Sequence, residues 1–294
     1  MERSALDDLL VVPADHDVVV GVGGGTALDT AKYLAWRLER PLLQIPTITS
    51  VDAAFTDAVG VREQGRVRYV GHVVPDLVVL DVPLVRSAPP HLNRAGIGDI
   101  LSCHTGLFDW RVATSGPTPT GRPEAPPWND ALAELGCTLL TELDGAAEEV
   151  AATSADAVRF LADAYRRIGA ACAWAGHSRF EEGSEHFFAY AYEHLTGAHL
   201  VHGELVTLAV CALAHVQGND PQGPRSIAVR ARTRAHPGDL GIDQATFVRC
   251  LVGLTEYVRA EGLDICVVDA RPVTADQAEA AWRFVDQLAR AGDR

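Results

Sequence analysis

Asp99, His186 and His202 are the residues of this 294-residue chain whose types could together hold a divalent metal. Asp99 follows Gly96-Ile97-Gly98 near the first turn of a helical stretch, and His186 closes Gly183-Ser184-Glu185-His186. His202 opens His202-Gly203-Glu204 sixteen residues later. One carboxylate and two imidazoles leave the fourth position of a tetrahedral ion open to substrate, the pattern of a catalytic rather than a structural metal. Zinc, iron and other first-row ions all accept such donors, so the donor set does not choose among them. With 11 histidines in the chain, pairs recur by chance; His194 and His199 are nearby alternatives that packing or the surface would equally explain.

A second cluster is Gly23-Gly24-Gly25-Thr26, which follows the apolar run Val18–Val22 and opens a helix. Bare backbone N–H groups at a helix N-terminus form a cradle for phosphate, reinforced by the helix dipole. A tight strand-to-helix turn made only for packing explains the same residues, and both readings stand at this point. Asp29 and Lys32 follow on one face of that helix, three residues apart. Their plain reading is a surface ion pair; their functional one rests on Lys32 being the only lysine among 25 basic residues.

The elements that must position these residues fall into two textures. Residues 4–12 read as a short helix ending at Pro13. Residues 17–22, 41–46 and 77–81 read as strands, the first almost continuously apolar as a strand buried on both faces is. Arg66–His72 suggests a hairpin arm. Strand, glycine turn, helix and strand in this order argue for a parallel α/β unit. From Pro83 on, helical patterns dominate at 95–114, 128–150, 154–176, 184–197, 201–217, 243–261 and 274–292. Ser115–Pro127, with five prolines, and the polar, Arg-rich Gly218–Asp239 read as connections. The expected fold is an α/β N-terminal domain over residues 1–82 and an all-α domain over residues 83–294.

A net charge of −14 speaks against nucleic acid or an anionic membrane as partner, since both need clustered cations. No basic segment with a following apolar core opens the chain, and no apolar run is long enough to span a bilayer. The 6 scattered cysteines read as reduced core thiols. A cytoplasmic enzyme with a small-molecule substrate is the expectation.

In the order and content of its motifs the chain resembles the metal-dependent polyol dehydrogenases. That family holds glycerol dehydrogenase, glycerol-1-phosphate dehydrogenase and the iron-containing alcohol dehydrogenases, and shares its fold with dehydroquinate synthase. The resemblance runs from about Asp17 to Val216. Gly21-Val22-Gly23-Gly24-Gly25-Thr26 through Lys32 is similar to the family's pyrophosphate turn. Ile45-Pro46-Thr47-Ile48-Thr49-Ser50-Val51-Asp52-Ala53 is similar to the segment flanking nicotinamide and substrate in glycerol dehydrogenase. Ala95-Gly96-Ile97-Gly98-Asp99, Asp109-Trp110, Gly183–His186 and His202–Glu204 are closer to glycerol-1-phosphate dehydrogenase.

The resemblance implies a truncated dinucleotide-binding type for residues 1–82 and a metal-binding domain for residues 83–294, with Asp99, His186 and His202 as ligands of a catalytic ion, zinc first and iron or nickel as alternatives. It implies Gly23, Gly24, Gly25 and Thr26, with Asp29 and Lys32 on the same helix, on the phosphates of NAD(P). Thr47 would lie near the nicotinamide and Asp52 near the substrate hydroxyls. The implied reaction is hydride transfer between the nicotinamide and a small polyol, polyol phosphate or hydroxy ketone, in a homo-oligomer. The sequence departs from the family in three places. Only 20 residues precede Gly21, against several dozen more in relatives, so the α/β domain is expected to be shortened. A non-redox lyase, isomerase or cyclase that has given up the dinucleotide is therefore the alternative. Tyr190 stands where several relatives place a second histidine, and Cys103, beside His104, where iron-type relatives place another. Ser178 and Arg179 are read as solvated loop residues or as contacts to a substrate anion.

Overall fold

The computed structural model describes residues 1–11 and 16–290 of the chain. Helix α1 (Arg3–Asp8) runs into a single 3-10 turn at Leu9–Val11; the expected stop at Pro13 lies outside the described residues. Strand β1 (Val19–Gly23) leads through the glycines into α2 (Gly25–Leu38), then β2 (Leu42–Pro46). The antiparallel hairpin β3 (Ala58–Glu63) and β4 (Arg66–His72) follows, and β5 (Leu77–Val78) completes the strands. β5 is shorter than the expected 77–81, because its pairing with β2 covers only Leu43↔Leu77 and Gln44↔Val78.

The sheet order is β1-β2-β5, all parallel, with Val19 opposite Leu42 and Gly23 opposite Pro46. Helix α2 covers one face, where Ala31, Ala35 and Leu42 pack with Val19. Buried Gln44 reaches across to donate to the Leu28 carbonyl (3.1 Å), tying sheet to helix. On the opposite face Val20, Val22, Leu77 and Val79 stay exposed, so the run that reads as doubly buried is covered on one side only.

The rest is helical: α3 (Val82–Ser87), α4 (Pro90–Arg94), a 3-10 turn at Ala95–Ile97, α5 (Gly98–Leu101) and α6 (Cys103–Ser115). The stretch 95–114 is thus broken, not one helix. There follow α7 (Asp130–Ala152), α8 (Ala155–Ala175), α9 (Ser184–Thr196) and α10 (His202–Gln217). Then come α11 (Gln222–Arg230), α12 (Pro237–Leu240), α13 (Gln244–Ala260), α14 (Val267–Ala270) and α15 (Ala275–Val285). Two expectations need correction. The polar segment 218–239 contains α11, whose Ile227 and Ala228 are buried while Arg230 pairs outward with Asp144 and Glu148; the arginines hid its amphipathic period. The last helix ends at Val285 rather than at residue 292.

Helix α10 is the axis of this part: it is buried without interruption from Gly203 to Ala214 and packs on α5, α9 and α15. Its N-terminal turn presses on the start of α5 with backbone in contact. A Cβ on Gly98 would lie 2.6 Å from the Gly203 carbonyl oxygen, and one on Gly203 would lie 2.0 Å from that of Ala95. Only glycine permits that approach, and it sets Asp99 and His202 side by side. The loop after β2 is drawn into the same place. Thr49 N–H donates to buried Asn93 (3.0 Å), and the Tyr165 hydroxyl is shared between the carbonyls of Thr49 (3.0 Å) and Gly96 (2.6 Å). Among the described residues no helix is long and apolar enough to cross a membrane.

Candidate metal centre

Asp99, His186 and His202 converge from α5, α9 and α10, with one ligand atom of each within 4.8 Å of the others. Asp99 Oδ1 lies 3.8 Å from His186 Nε2 and 3.6 Å from His202 Nε2, too far for hydrogen bonds. Donors about 2.0–2.2 Å from a shared tetrahedral ion sit about 3.3–3.6 Å apart, so a small adjustment brings all three onto one ion. Asp99 Oδ2 accepts the N–H of Asp52 (2.9 Å), whereas Oδ1 is buried without a hydrogen-bond partner. A buried carboxylate oxygen left so is costly, and a cation between the imidazoles satisfies it. The donors present therefore fit a divalent ion. Asp99 and His186 are buried while the His202 side chain is 34% exposed, so the site is reached from the His202 side.

The orientation of His186 comes from the residues around it. Its Nδ1 lies 2.9 Å from Glu185 Oε1, leaving Nε2 toward Asp99. Glu185 is fully buried; Oε1 also accepts the Gly183 N–H (2.6 Å) and Oε2 the Thr105 hydroxyl (2.7 Å). Asp109 on α6 accepts the N–H of Ser184 (2.6 Å) and that of Val267 (2.7 Å), holding the first turns of α9 and α14 together. Burial, and then the charge of Glu185, push the Asp109 carboxyl up to about 6. Burial works against charge on His186, but the flanking Asp99 and Glu185 carboxylates outweigh it and raise its pKa well above the ordinary histidine value. His202, for which burial prevails over the attraction of Asp99, is lowered. The roles of Glu185, Thr105 and Asp109 were missed in the sequence; the contiguous Ser-Glu-His was the one available signal.

The other site residues form a strip beside this centre. Thr47 N–H donates to the Gly23 carbonyl (2.9 Å), so the loop after β2 runs directly along the glycine turn. A Cβ at Gly24 would meet Ile48 at 2.7 Å and one at Gly25 would meet Val51 at 2.8 Å, so these glycines also admit that loop. Helix α2 starts at Gly25 with Thr26 in its first turn, and no side chain caps it. An uncapped glycine N-terminus next to the loop carrying Thr47 fits a dinucleotide phosphate. Half-buried Asp52 follows at the end of this strip. Burial first and neighbouring Asp99 second push its carboxyl up to about 8.

Lys32 lies elsewhere than expected. It is buried, its ammonium donating to the Ala58 carbonyl (2.8 Å) and Thr56 hydroxyl (3.4 Å) and pairing with Asp29 (3.1 Å). The Asp29–Lys32 pair is thus made within α2, with only Asp29 open to solvent, and Lys32 ties the helix to the start of β3. Arg179 is fully buried too, donating to the Ile265 carbonyl (2.5 Å), and is not a solvated loop residue. Ser178 donates to Glu182 (2.8 Å). Cys103 is buried, with its Cβ against Gly136 of α7, and His104 lies 2.6 Å from the Asn219 carbonyl. Of the alternative histidines, His194 packs on Tyr257 and His199 pairs with Glu193 (2.9 Å). Tyr190, one turn beyond His186, donates to Glu182 (2.9 Å) and meets the Tyr69 hydroxyl of β4 (2.9 Å).

A family profile described as iron-containing alcohol dehydrogenase matches residues 2–89. The glycerol-1-phosphate dehydrogenase [NAD(P)+] of Hyperthermus butylicus is 27% identical over 273 residues, 93% of this chain and 73% of that protein. Its counterpart from Sulfolobus acidocaldarius is 34% identical over 202 residues, 68% of this chain and 55% of that protein. Among solved structures, glycerol dehydrogenase from Schizosaccharomyces pombe superposes with a TM-score of 0.72 at 20% identity, covering 98% of this chain and 74% of that one. A probable glycerol dehydrogenase from Sinorhizobium meliloti gives 0.67 at 23% identity, over 97% and 81%. At that identity the solved structures speak to the fold: a parallel α/β part followed by a largely helical one. Fold, ordered motifs and sequence relatives agree in pointing to the metal-dependent polyol dehydrogenases as the proteins this chain resembles.

Proposed function

We propose that this chain is a metal-dependent oxidoreductase that exchanges hydride between a nicotinamide cofactor and a small polyol, polyol phosphate or hydroxy ketone. The observation that carries this reading is the buried, unpartnered Asp99 Oδ1 facing two imidazole Nε2 atoms. Asp99, His186 and His202 would hold the ion, zinc first for a two-imidazole, one-carboxylate set, with iron or nickel as alternatives. Gly23, Gly24, Gly25 and Thr26 would hold the cofactor phosphates, with Thr47 toward the nicotinamide. When bound, the ion supplies Lewis acidity toward the alcohol or ketone and the nicotinamide supplies hydride exchange.

The chain's own part is binding and proton placement. Asp52 joins the two halves of the site: its backbone N–H holds Asp99, and its side chain would meet a substrate hydroxyl, as the family resemblance implies. Burial first and Asp99 second hold its carboxyl up at about 8 in the metal-free chain, so Asp52 would exchange a proton with that hydroxyl. A cation on Asp99 would weaken the second cause of that shift and let the proton move more readily. The dehydrogenase names of the sequence relatives support the same chemistry. A homo-oligomer belongs to the same proposal and is checked by light scattering.

Titrating the zinc-loaded protein with NADH and with NADPH tests this reading. Saturable binding of one of them, and reduction of dihydroxyacetone or its phosphate, is the expected result. No saturable binding at millimolar cofactor would contradict it.

A further inference from the structure

We propose that Glu185 is a positioning residue that fixes which nitrogen of His186 faces the ion. The proposal rests on the metal reading of Asp99, His186 and His202. Adjacent side chains on a helix point about 100° apart and do not ordinarily meet. Here they meet because Glu185 lies in the first turn of α9 and folds back onto the N–H of Gly183, its N-cap residue (2.6 Å). Thr105 of α6 holds the other carboxylate oxygen (2.7 Å). The carboxylate is therefore anchored on both sides before it meets His186 Nδ1 at 2.9 Å.

Oε1 already acts as an acceptor toward the Gly183 N–H, and the same oxygen facing Nδ1 selects the imidazole tautomer with its proton there. The lone pair then lies on Nε2, the atom that faces Asp99 Oδ1. The same contact fixes the ring plane and strengthens Nε2 as a donor, which is how outer carboxylates act on ligating histidines. Thr105 makes α6 part of this device: it joins two helices 80 positions apart in sequence to one ring.

Glu185→Gln keeps the side-chain volume but can present an N–H to Nδ1, favouring the wrong tautomer. The measurement is the zinc dissociation constant of the purified protein, by competition with a chelator, alongside the melting temperature of the metal-free form. The expected result for Glu185→Gln is zinc binding weaker by about 10–100-fold, in a metal-free form that still unfolds cooperatively. The downfield Nδ1–H proton resonance of the zinc form should also be lost. If Glu185→Gln does not fold, Thr105→Val, which removes one anchor without touching charge, should weaken zinc in the same direction. His186→Ala separates the two claims. Zinc lost in His186→Ala but bound within about twofold of the parent affinity in the folded Glu185 or Thr105 variant overturns the role of Glu185 and leaves the metal reading standing. Zinc retained in His186→Ala overturns the metal reading itself.

Discussion

Glu204, two residues beyond His202, is buried with Oε1 unpartnered, and burial pushes its carboxyl up to about 7. Its unfolded value lies near the ordinary glutamate figure of about 4.3. The folded state therefore holds the proton more tightly, and stability falls as pH rises from about 4.3 through about 7. Glu204→Gln should stabilise the metal-free protein at about pH 8, on the order of 2 kcal/mol more than at about pH 5. Urea unfolding at both pH values checks this; an equal change at both would contradict it. At this scale the sequence was readable where chemistry and spacing coincide. Asp99, His186 and His202 stand in short Gly-containing motifs, and the structure gathers them. Glu185 and Asp109 were not readable, because their partners lie 80 and 158 positions away and only the packed helices reveal them. Lys32 misled for the same reason: its scarcity drew attention, while its partners sit on a strand whose position the local pattern does not fix.

The crossing of α5 and α10 is the element on which the centre depends. Gly98 and Gly203 allow the two backbones to touch, which places Asp99 and His202 next to each other. Gly203→Ala would put a Cβ 2.0 Å from the Ala95 carbonyl oxygen and 2.8 Å from that of Ser50, both backbone atoms that cannot swing aside. We expect it to cost about 2–3 kcal/mol in stability and to weaken metal binding as α10 moves off α5. Chemical denaturation and zinc competition measure the two effects; a variant equal to the parent in both would show that the close crossing does not position the site. Long helices such as α7, α8 and α13 were legible from their apolar period alone. Breaks near Ser102 and the hidden α11 were not, since the first answers to the crossing at Gly98 and the second presents arginines to solvent. The strand over 17–22 was found, but its continuous apolar run overstated its burial, because nothing among the described residues covers Val20 and Val22.

Across the whole molecule, the hairpin β3–β4 connects the α/β part to α9, which carries His186, and to the end of α13. Arg62 forks onto Glu193 of α9 (2.7 Å), Arg66 (2.8 Å) and Arg68 meet Glu261, and Tyr69 meets Tyr190. The Glu193 carboxyl is opposed by burial but held below its ordinary value by Arg62 and His199, so this join is charged near neutrality. Separately, the loop after β2 runs from the glycine turn, through Thr47, to the Asp52 N–H that meets Asp99. An α/β part followed by a helical one was legible from the fading of strand patterns; the hairpin's long reach to α9 was not, since it rests on an ion pair 131 positions apart. The claim joining these scales is that Asp99, His186 and His202 hold one catalytic ion. Elemental analysis of the purified parent, His186→Ala and His202→Ala, each reconstituted with zinc and desalted, tests it most directly. A full equivalent is expected in the parent and none in either variant; a full equivalent retained in either folded variant would overturn the shared-ion site.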